Sequence, residues 1–416
     1  MFDRWRRRAC GGQRGVTAFL LFAVGAAPPL ASADPPTYTA QFLTPGLSAI
    51  SAAAMNEAGD VVGTSTTGSG GWVSYVGAPA VLLPPPPGAQ YTFASDINDA
   101  GVIVGAAGPT AYPEYGGTAV AWIPDGSGGY TIQQFGTLPG HVTSFATAVN
   151  NVGDVIGYSS NGTFRYPVLF SAPGGIQDLS ATGVFDPADI NDQRVLVDHS
   201  FTCKRLDLNS MIVEDLGVPA GPPTYQASTG AAINEAGQVA GLAIYACCPN
   251  CDRVAARYTE EVGWEIFSGC GQSNGAGSIN DLGDVVMRLN VAPYVRLEGL
   301  GTFLIEDLIV ADVGHWYVIN GSGPINNARQ MAIPATNSVT NQTGIVLLTP
   351  VGLLVGDLNC DGAVDFGDIN PFVLILADPA AWQAAYPSCP AANGDVNGDG
   401  SVGFGDINPF VALLAG

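Results

Sequence analysis

Basic residues are scarce in this 416-residue chain: 14 Lys and Arg stand against 36 Asp and Glu, a formal charge of −22 with only 12% charged residues. A face able to neutralise phosphate is therefore missing, which argues against nucleic acid and anionic membrane as partners. Histidine is nearly absent, and His141, His199 and His315 fall in three different stretches without HExxH or other metal-ligand spacing. No GxSxG elbow occurs, and Gly-rich runs such as the one at Gly68 lack the Lys-Ser/Thr of a phosphate loop, so they read as connections between repeats. Long amphipathic stretches are lacking too. Apolar residues make up 47% of the chain but come in short runs broken by 55 Gly and 30 Pro, which excludes disorder and favours many short strands over helices.

The first 33 residues read as an export signal. Arg4, Arg6, Arg7, Arg8 and Arg14 precede an apolar run, and Ala31-Ser32-Ala33 offers a small-residue cleavage site before Asp34. That run is shorter than the roughly 20 residues a spanning helix needs, and no later segment reaches spanning length, so no transmembrane segment is expected after cleavage. Removal leaves 9 basic and 35 acidic residues, a charge of −26, on a chain that is secreted or held at the cell surface.

One pattern recurs through residues 34–350: MNEAGDVVG, INDAGVIVG, VNNVGDVIG, INDQRVLV, INEAGQVAG, INDLGDVVM and INNARQMA. Their asparagines, Asn56, Asn98, Asn150, Asn191, Asn234, Asn280 and Asn326, lie 42, 52, 41, 43, 46 and 46 residues apart. Self-similarity at this period signals a solenoid or a propeller. An apolar residue ends one strand, Asn opens a turn by bonding the backbone two residues on, and Gly eases the exit into the next strand. The fourth and seventh copies carry Arg194 and Arg329 at the Gly position, so distorted or lengthened turns are expected there. Further strands read at Thr118–Trp122, Tyr130–Phe135 and Phe145–Val149 give four strands per interval, the content of a propeller blade. Strands near Tyr38–Phe42, Ser48–Ala54, Gln330–Ile333 and Gly344–Leu348 predict a seventh blade shared two and two between the ends of the array, closing the ring. These cores, with the stretch QFGTLPGHVTSFATAVN, resemble the extracellular HAF-type repeats of bacteria, which implies a secreted propeller-like array without a settled activity.

Residue chemistry in this body is thin. Glu260 and Glu261 are adjacent on what reads as a strand and so point to opposite faces. Cys10 leaves with the signal, and Cys203, Cys247, Cys248, Cys251 and Cys270 remain in the body, where export makes cystine the default and their odd number leaves one thiol unpaired. Cys248 and Cys251, with Cys203 and Cys270, are the alternative of a zinc site.

After a linker at 351–356, residues 357–416 hold a duplication, GDLNCDGAVDFGDINPFVLIL and GDVNGDGSVGFGDINPFVALL. Each copy has the oxygen ligands of a 12-residue calcium loop: Asp357, Asn359, Asp361, Ala363 through its carbonyl, Asp365 and Asp368, then Asp395, Asn397, Asp399, Ser401 through its carbonyl and Asp406. Gly403 replaces Asp365 in the second loop, so water fills that position. Residues 356–416 contain eight acidic and no basic residues, so two calcium ions should drive folding. Ile369, Phe372, Val373 and Leu376, and Ile407, Phe410, Val411 and Leu414, recur at helical spacing and are expected to form two facing apolar stripes. Pro371 and Pro409 lie in the first turns, where their missing N–H has no partner to lose. Cys360 and Cys389 can close the insertion between the loops by a disulfide.

This duplicated loop-helix resembles the type I dockerin, a calcium-binding module that plugs enzymes into cohesin scaffolds. The resemblance implies the ligands just named and places the family's partner-contact pair on Phe366-Gly367 and Phe404-Gly405. The expected protein is mainly β: a seven-bladed β-propeller followed by a small all-α dockerin-like paired calcium loop-helix module. It reads as a non-catalytic binding or structural component. A cohesin-like or cell-surface protein is expected on the tail, and a glycan or protein ligand on the propeller. The alternative is a dockerin-bearing glycoside hydrolase or accessory protein of polysaccharide breakdown, with paired carboxylates in a central cavity.

Overall fold

The fold was obtained as a computed structural model. It describes residues 35–415, apart from 48–49, 66–69, 77, 112–115, 172–174, 221–223, 246–252, 268–274, 291, 310–315, 319–321, 352–354, 360–363, 387–388, 390 and 398–400. The expected export signal, His315, Cys247, Cys248, Cys251, Cys270, Cys360, Asp361, Ala363 and Asp399 lie outside the described residues.

Seven four-stranded antiparallel sheets form a seven-bladed β-propeller. The second blade shows the plan: Tyr91–Ile97 is innermost, followed outward by Ile103–Gly108, Thr118–Pro124 and Tyr130–Gly136. Each repeat Asn follows the innermost strand, so one repeat is one blade. The seventh blade differs from expectation. Three of its strands, Trp316–Val318, Met331–Asn337 and Thr343–Val351, come from the far end of the array and only Thr37–Phe42 from the near end, outermost and antiparallel to Thr343–Val351. The sharing is three and one because Ile50–Met55 precedes an Asn turn and so is the inner strand of the first blade. Gly70 and Gly71 likewise lie within a strand, Gly70–Ser74, and do not connect blades.

Second strands are buried on both sides because they face neighbouring blades; Ile103–Gly108 is covered along its whole length. That explains their continuous small and β-branched sequence. Trp72 and Trp122, fully buried on third strands, fill the wedge that widens with radius, and the Trp122 indole donates to Pro84 O at 2.8 Å. No helix among the described residues is long and apolar enough to cross a membrane.

The small helical region follows, with helices at Ile369–Ala377, Pro379–Ala385 and Ile407–Ala415. Phe372 and Phe410 stack at 4.2 Å over Leu358, Ile375, Trp382 and Cys389. The expected stripes hold only in part. Ile375 is buried, whereas Val373 and Val411 are 58% and 55% exposed and Ile369 and Ile407 are exposed with them. The helices turn their phenylalanines inward because Trp382, donated by the insertion, occupies the centre of the core; its indole bonds Leu358 O at 3.1 Å.

Candidate functional site

Around the propeller axis the seven repeats meet in two closed rings of hydrogen bonds. Each repeat Asn makes the same two side-chain bonds, and in five repeats Nδ2 also donates to the side chain four residues on. Its Oδ1 accepts the backbone N–H four residues on, not two, as in Val102 N to Asn98 Oδ1 at 2.9 Å and Asp154 N to Asn150 Oδ1 at 2.7 Å. Its Nδ2 donates to the carbonyl of the next repeat Asn: Asn56 to Asn98, Asn98 to Asn150, Asn150 to Asn191, Asn191 to Asn234, Asn234 to Asn280, Asn280 to Asn326, and Asn326 back to Asn56, at 2.9–3.5 Å. All seven asparagines are buried. The residue after each Asn makes the second ring. The backbone N–H groups of Glu57, Asp99, Asn151, Asp192, Glu235, Asp281 and Asn327 each donate to the side chain of the next member, Asn327 returning to Glu57.

The two degenerate repeats keep their turns. Arg194 and Arg329 take the left-handed conformation, φ 67° and 58°, that Gly holds elsewhere, and their N–H groups still bond the repeat Asn carbonyls. Their guanidinium groups grip carboxylates of the preceding blade. Arg194 reaches Asp154 at 2.7 and 3.0 Å, and Arg329 reaches the fully buried Asp284 at 2.8 and 3.3 Å. The strain of a non-Gly residue at positive φ is offset by a bidentate ion pair.

The second ring surrounds a polar basin of about 190 Å³, to which it contributes five carboxylates and two amides, with repeat asparagines also among the lining. Burial raises the carboxyls of Glu57 and Glu235 above the usual range, helped by the neighbouring acids. Next along the axis, past the apolar residue preceding each Asn, lies a second cavity of about 340 Å³. Six of the seven inner strands carry an irregular register there, between Ala94 and Asp96 in the second blade. Such a bulge lets two successive side chains line the axis. Most are Ala, Gly or Ser, but two are carboxylates, Asp96 and Asp189. Desolvation and the Asp189 charge push Asp96 up to about 8, against bonds from Val149 N and Ile97 N; desolvation pushes Asp189 up to about 6, against bonds from Ile233 N and Ile190 N. Neither residue was singled out in the sequence. The available signal was Asp in two copies at the position two before Asn, where Ala54, Ala148 and Ala232 stand in others.

Other residues noted from the sequence play structural parts. His141 Nδ1 pairs with Ser159 Oγ at 3.0 Å, and His199 Nδ1 with Gly230 O at 2.8 Å. Glu260 lies in a turn, not on a strand, and pairs with Arg205. Cys203 is a buried free thiol whose pKa is pushed up by burial.

In the helical region the carboxylates at the twelfth loop positions organise both loops alike. Asp368 Oδ1 accepts Leu358 N at 2.8 Å and Asn359 N at 3.1 Å, and its Oδ2 accepts Asp365 N at 3.0 Å. Asp406 accepts Asn397 N at 2.9 Å and Gly403 N at 2.8 Å. Both carboxylates are fully buried. Asp365 caps the following turn through Gly367 N at 2.6 Å. The donor set around these loops is carboxylate, amide and carbonyl oxygen, the chemistry suited to a hard divalent cation. Cys389 is disulfide-bonded. Phe366 and Phe404 project 76% and 83% exposed at equivalent places beside the two helices.

No model of a known protein family matches the sequence, and no curated protein matches it. Among solved structures, a streptogramin B lyase aligns at 12% identity and a TM-score of 0.47, over 76% of this chain and 98% of that one. A catalytically inactive virginiamycin B lyase from Staphylococcus aureus with quinupristin aligns at 11% identity and 0.45, over 75% and 99%. The extracellular domain of a two-component system from B. thetaiotaomicron gives 11% and 0.48, over 75% of this chain and 40% of that one. At this identity the likeness concerns fold alone.

Proposed function

We propose that this is an exported propeller joined to a dockerin-like module, a non-catalytic binding or structural component at the cell surface or in an extracellular complex. The observation that carries the reading is the equivalence of the two C-terminal loops. In each, a buried carboxylate at the twelfth position gathers backbone N–H groups of its own loop ahead of a helix, and the two helices meet through Phe372 and Phe410. Asp357, Asn359, Asp365 and Asp368, and Asp395, Asn397, Ser401 and Asp406, would hold one calcium ion each, together with Asp361, Ala363 and Asp399. The ion would neutralise acidic side chains that otherwise repel. Phe366 and Phe404 give this module an apolar contact face, which suits a protein partner with an apolar patch better than a purely polar one.

The hydrolase alternative fits the axial geometry less well. Asp96 and Asp189 line a cavity of about 340 Å³ inside a ring of blades, sized for one small molecule and not for a polysaccharide chain. Calorimetric titration of the full chain with calcium tests the proposal. Uptake of two ions, reduced when Asp357→Ala and Asp395→Ala are combined, is expected; absence of uptake, or uptake indifferent to both substitutions, overturns it.

A further inference from the structure

The axial cavity holds more ionisable groups than its architecture requires. In the second, fourth and sixth blades, the side chain two residues before the repeat Asn accepts a backbone N–H from the next blade. Asp96 takes Val149 N at 2.7 Å, Asp189 takes Ile233 N at 2.9 Å, and Ser278 takes Ile325 N at 3.1 Å. Ser278 is an internal control: a neutral hydroxyl performs the same inter-blade task. The structural need is for an acceptor, and the ionisable character of the two carboxyl groups is left without a structural reason.

Those carboxyl groups face a real void. The cavity walls are small, with Ala54, Ala148 and Ala232 beside the carboxylates, and among the described residues no Arg or Lys lines it. Two amide bonds occupy part of each carboxylate and leave lone pairs free toward the axis. Burial raises both carboxyls and the Asp189 charge raises Asp96 further, a cost that a positive charge between them would lift. The five-carboxylate basin farther along the axis favours cations over anions at that mouth.

We infer that the axial cavity binds a small alkylammonium molecule, its N–H groups shared between Asp96 and Asp189 and its methylenes against the alanine walls. A metal ion fits less well. Hard cations take six to eight oxygens or a near-octahedral shell, and no group of three or more His, Cys, Asp or Glu among the described residues gathers to hold one. The volume also exceeds what a bare ion fills.

The probe is 1,4-diaminobutane, titrated calorimetrically into the full chain under saturating calcium, so that the C-terminal loops contribute nothing. One molecule per chain is expected to bind. Asp96→Ser and Asp189→Ser, which copy Ser278, should each weaken binding at least about tenfold while leaving the fold intact by circular dichroism. Should a serine variant unfold, the isosteric neutral Asp96→Asn and Asp189→Asn carry the same expectation. The inference falls if the wild-type chain takes up no diamine or if binding is unchanged in these variants. It also falls if Glu57→Gln, not the axial substitutions, abolishes binding, which would place the ligand on the rim. Saturable binding of manganese at the same carboxylates, displacing the diamine, would overturn it in favour of a metal. These outcomes are independent of whether the C-terminal module binds calcium.

Discussion

Arg329 stands where five other repeats have Gly, at a φ of 58°, so its side chain must return more than its backbone costs. What it returns is neutralisation of Asp284, which is fully buried and, among the described residues, otherwise bonded to neutral donors such as Asn280 Nδ2 and Glu298 N. Arg329→Gly relieves the backbone yet strips a buried charge of its partner, with an expected net loss of about 2–4 kcal/mol in chemical denaturation. The fifth and sixth blades point to the compensation. Gln238 there occupies the place of Asp284, and Gly283 that of Arg329, with the Gln238 amide oxygen beside the glycine. Combining Arg329→Gly with Asp284→Gln should therefore recover most of the loss, and equal losses in the single and double variants would refute the pairing. A second residue-scale expectation concerns Asp96 and Asp189. Their carboxyls titrate later in the folded protein than in an unfolded chain, so the folded state holds extra protons from pH 3.8 up to about 8 for Asp96 and about 6 for Asp189. Stability from these two groups is present at the acid end and lost as pH rises through that window. Comparing melting curves of wild type with the Asp96→Ser/Asp189→Ser double variant isolates the effect. The wild type should lose midpoint relative to the variant between about pH 4 and about pH 8, most steeply below about pH 6 where both groups contribute, and parallel pH dependences would disprove the raised values.

At the scale of the strand and turn, the sequence made the blades legible because the repeat unit coincides with the turn between the two innermost strands. Asn, its following acid and the Gly three residues after Asn all act within that turn or on its neighbour, so spacing alone located seven blades. The axial carboxylates were not legible because their placement depends on a break in alternation. Strict period-two reading of Tyr91–Ile97 puts Asp96 on the same side as the buried Thr92 and Ala94. The bulge after Ala94 cancels that rule and turns Asp96 toward the axis. A trace of the bulge does exist in the sequence, in the second glycine of the unit. At Gly63, Gly105, Gly157 and Gly241 a Cβ would lie 1.9–2.0 Å from an inner-strand carbonyl, so only glycine lets the second strand approach the bulged one. In the helical region the loop chemistry was equally readable, whereas the orientation of the helices was not. Apolar residues occupy nearly every helical position, and Trp382, arriving from the insertion, decides which of them turn inward.

For the molecule as a whole, stability is a property of closure. A ring of seven donors and acceptors has no end only while its first and last blades touch, and here Asn326 Nδ2 to Asn56 O, at 3.5 Å, is the longest bond of the asparagine ring. The seam needs support from elsewhere, and Thr37–Phe42 supplies it. This strand pairs along its full length with Thr343–Val351, from Thr37 opposite Val351 to Phe42 opposite Val346. Tyr38 and Leu43 are buried, and Phe42 packs on Trp316 at 4.7 Å, so the first strand anchors the blade that carries Asn326 to the body that carries Asn56. Deleting residues 35–43 leaves the edge of Thr343–Val351 open, removes those side chains and loads closure onto the weakest link. The truncated chain is expected to melt at lower temperature and to self-associate through the bared edge. A synthetic peptide of residues 35–47 should raise the midpoint again, by an amount that grows with peptide concentration, because it binds the folded state alone. A truncated chain that melts with the wild type, or one that the peptide leaves unchanged, would mean that the seam is held by the axial rings themselves and that the outermost strand is an ornament on an already closed ring.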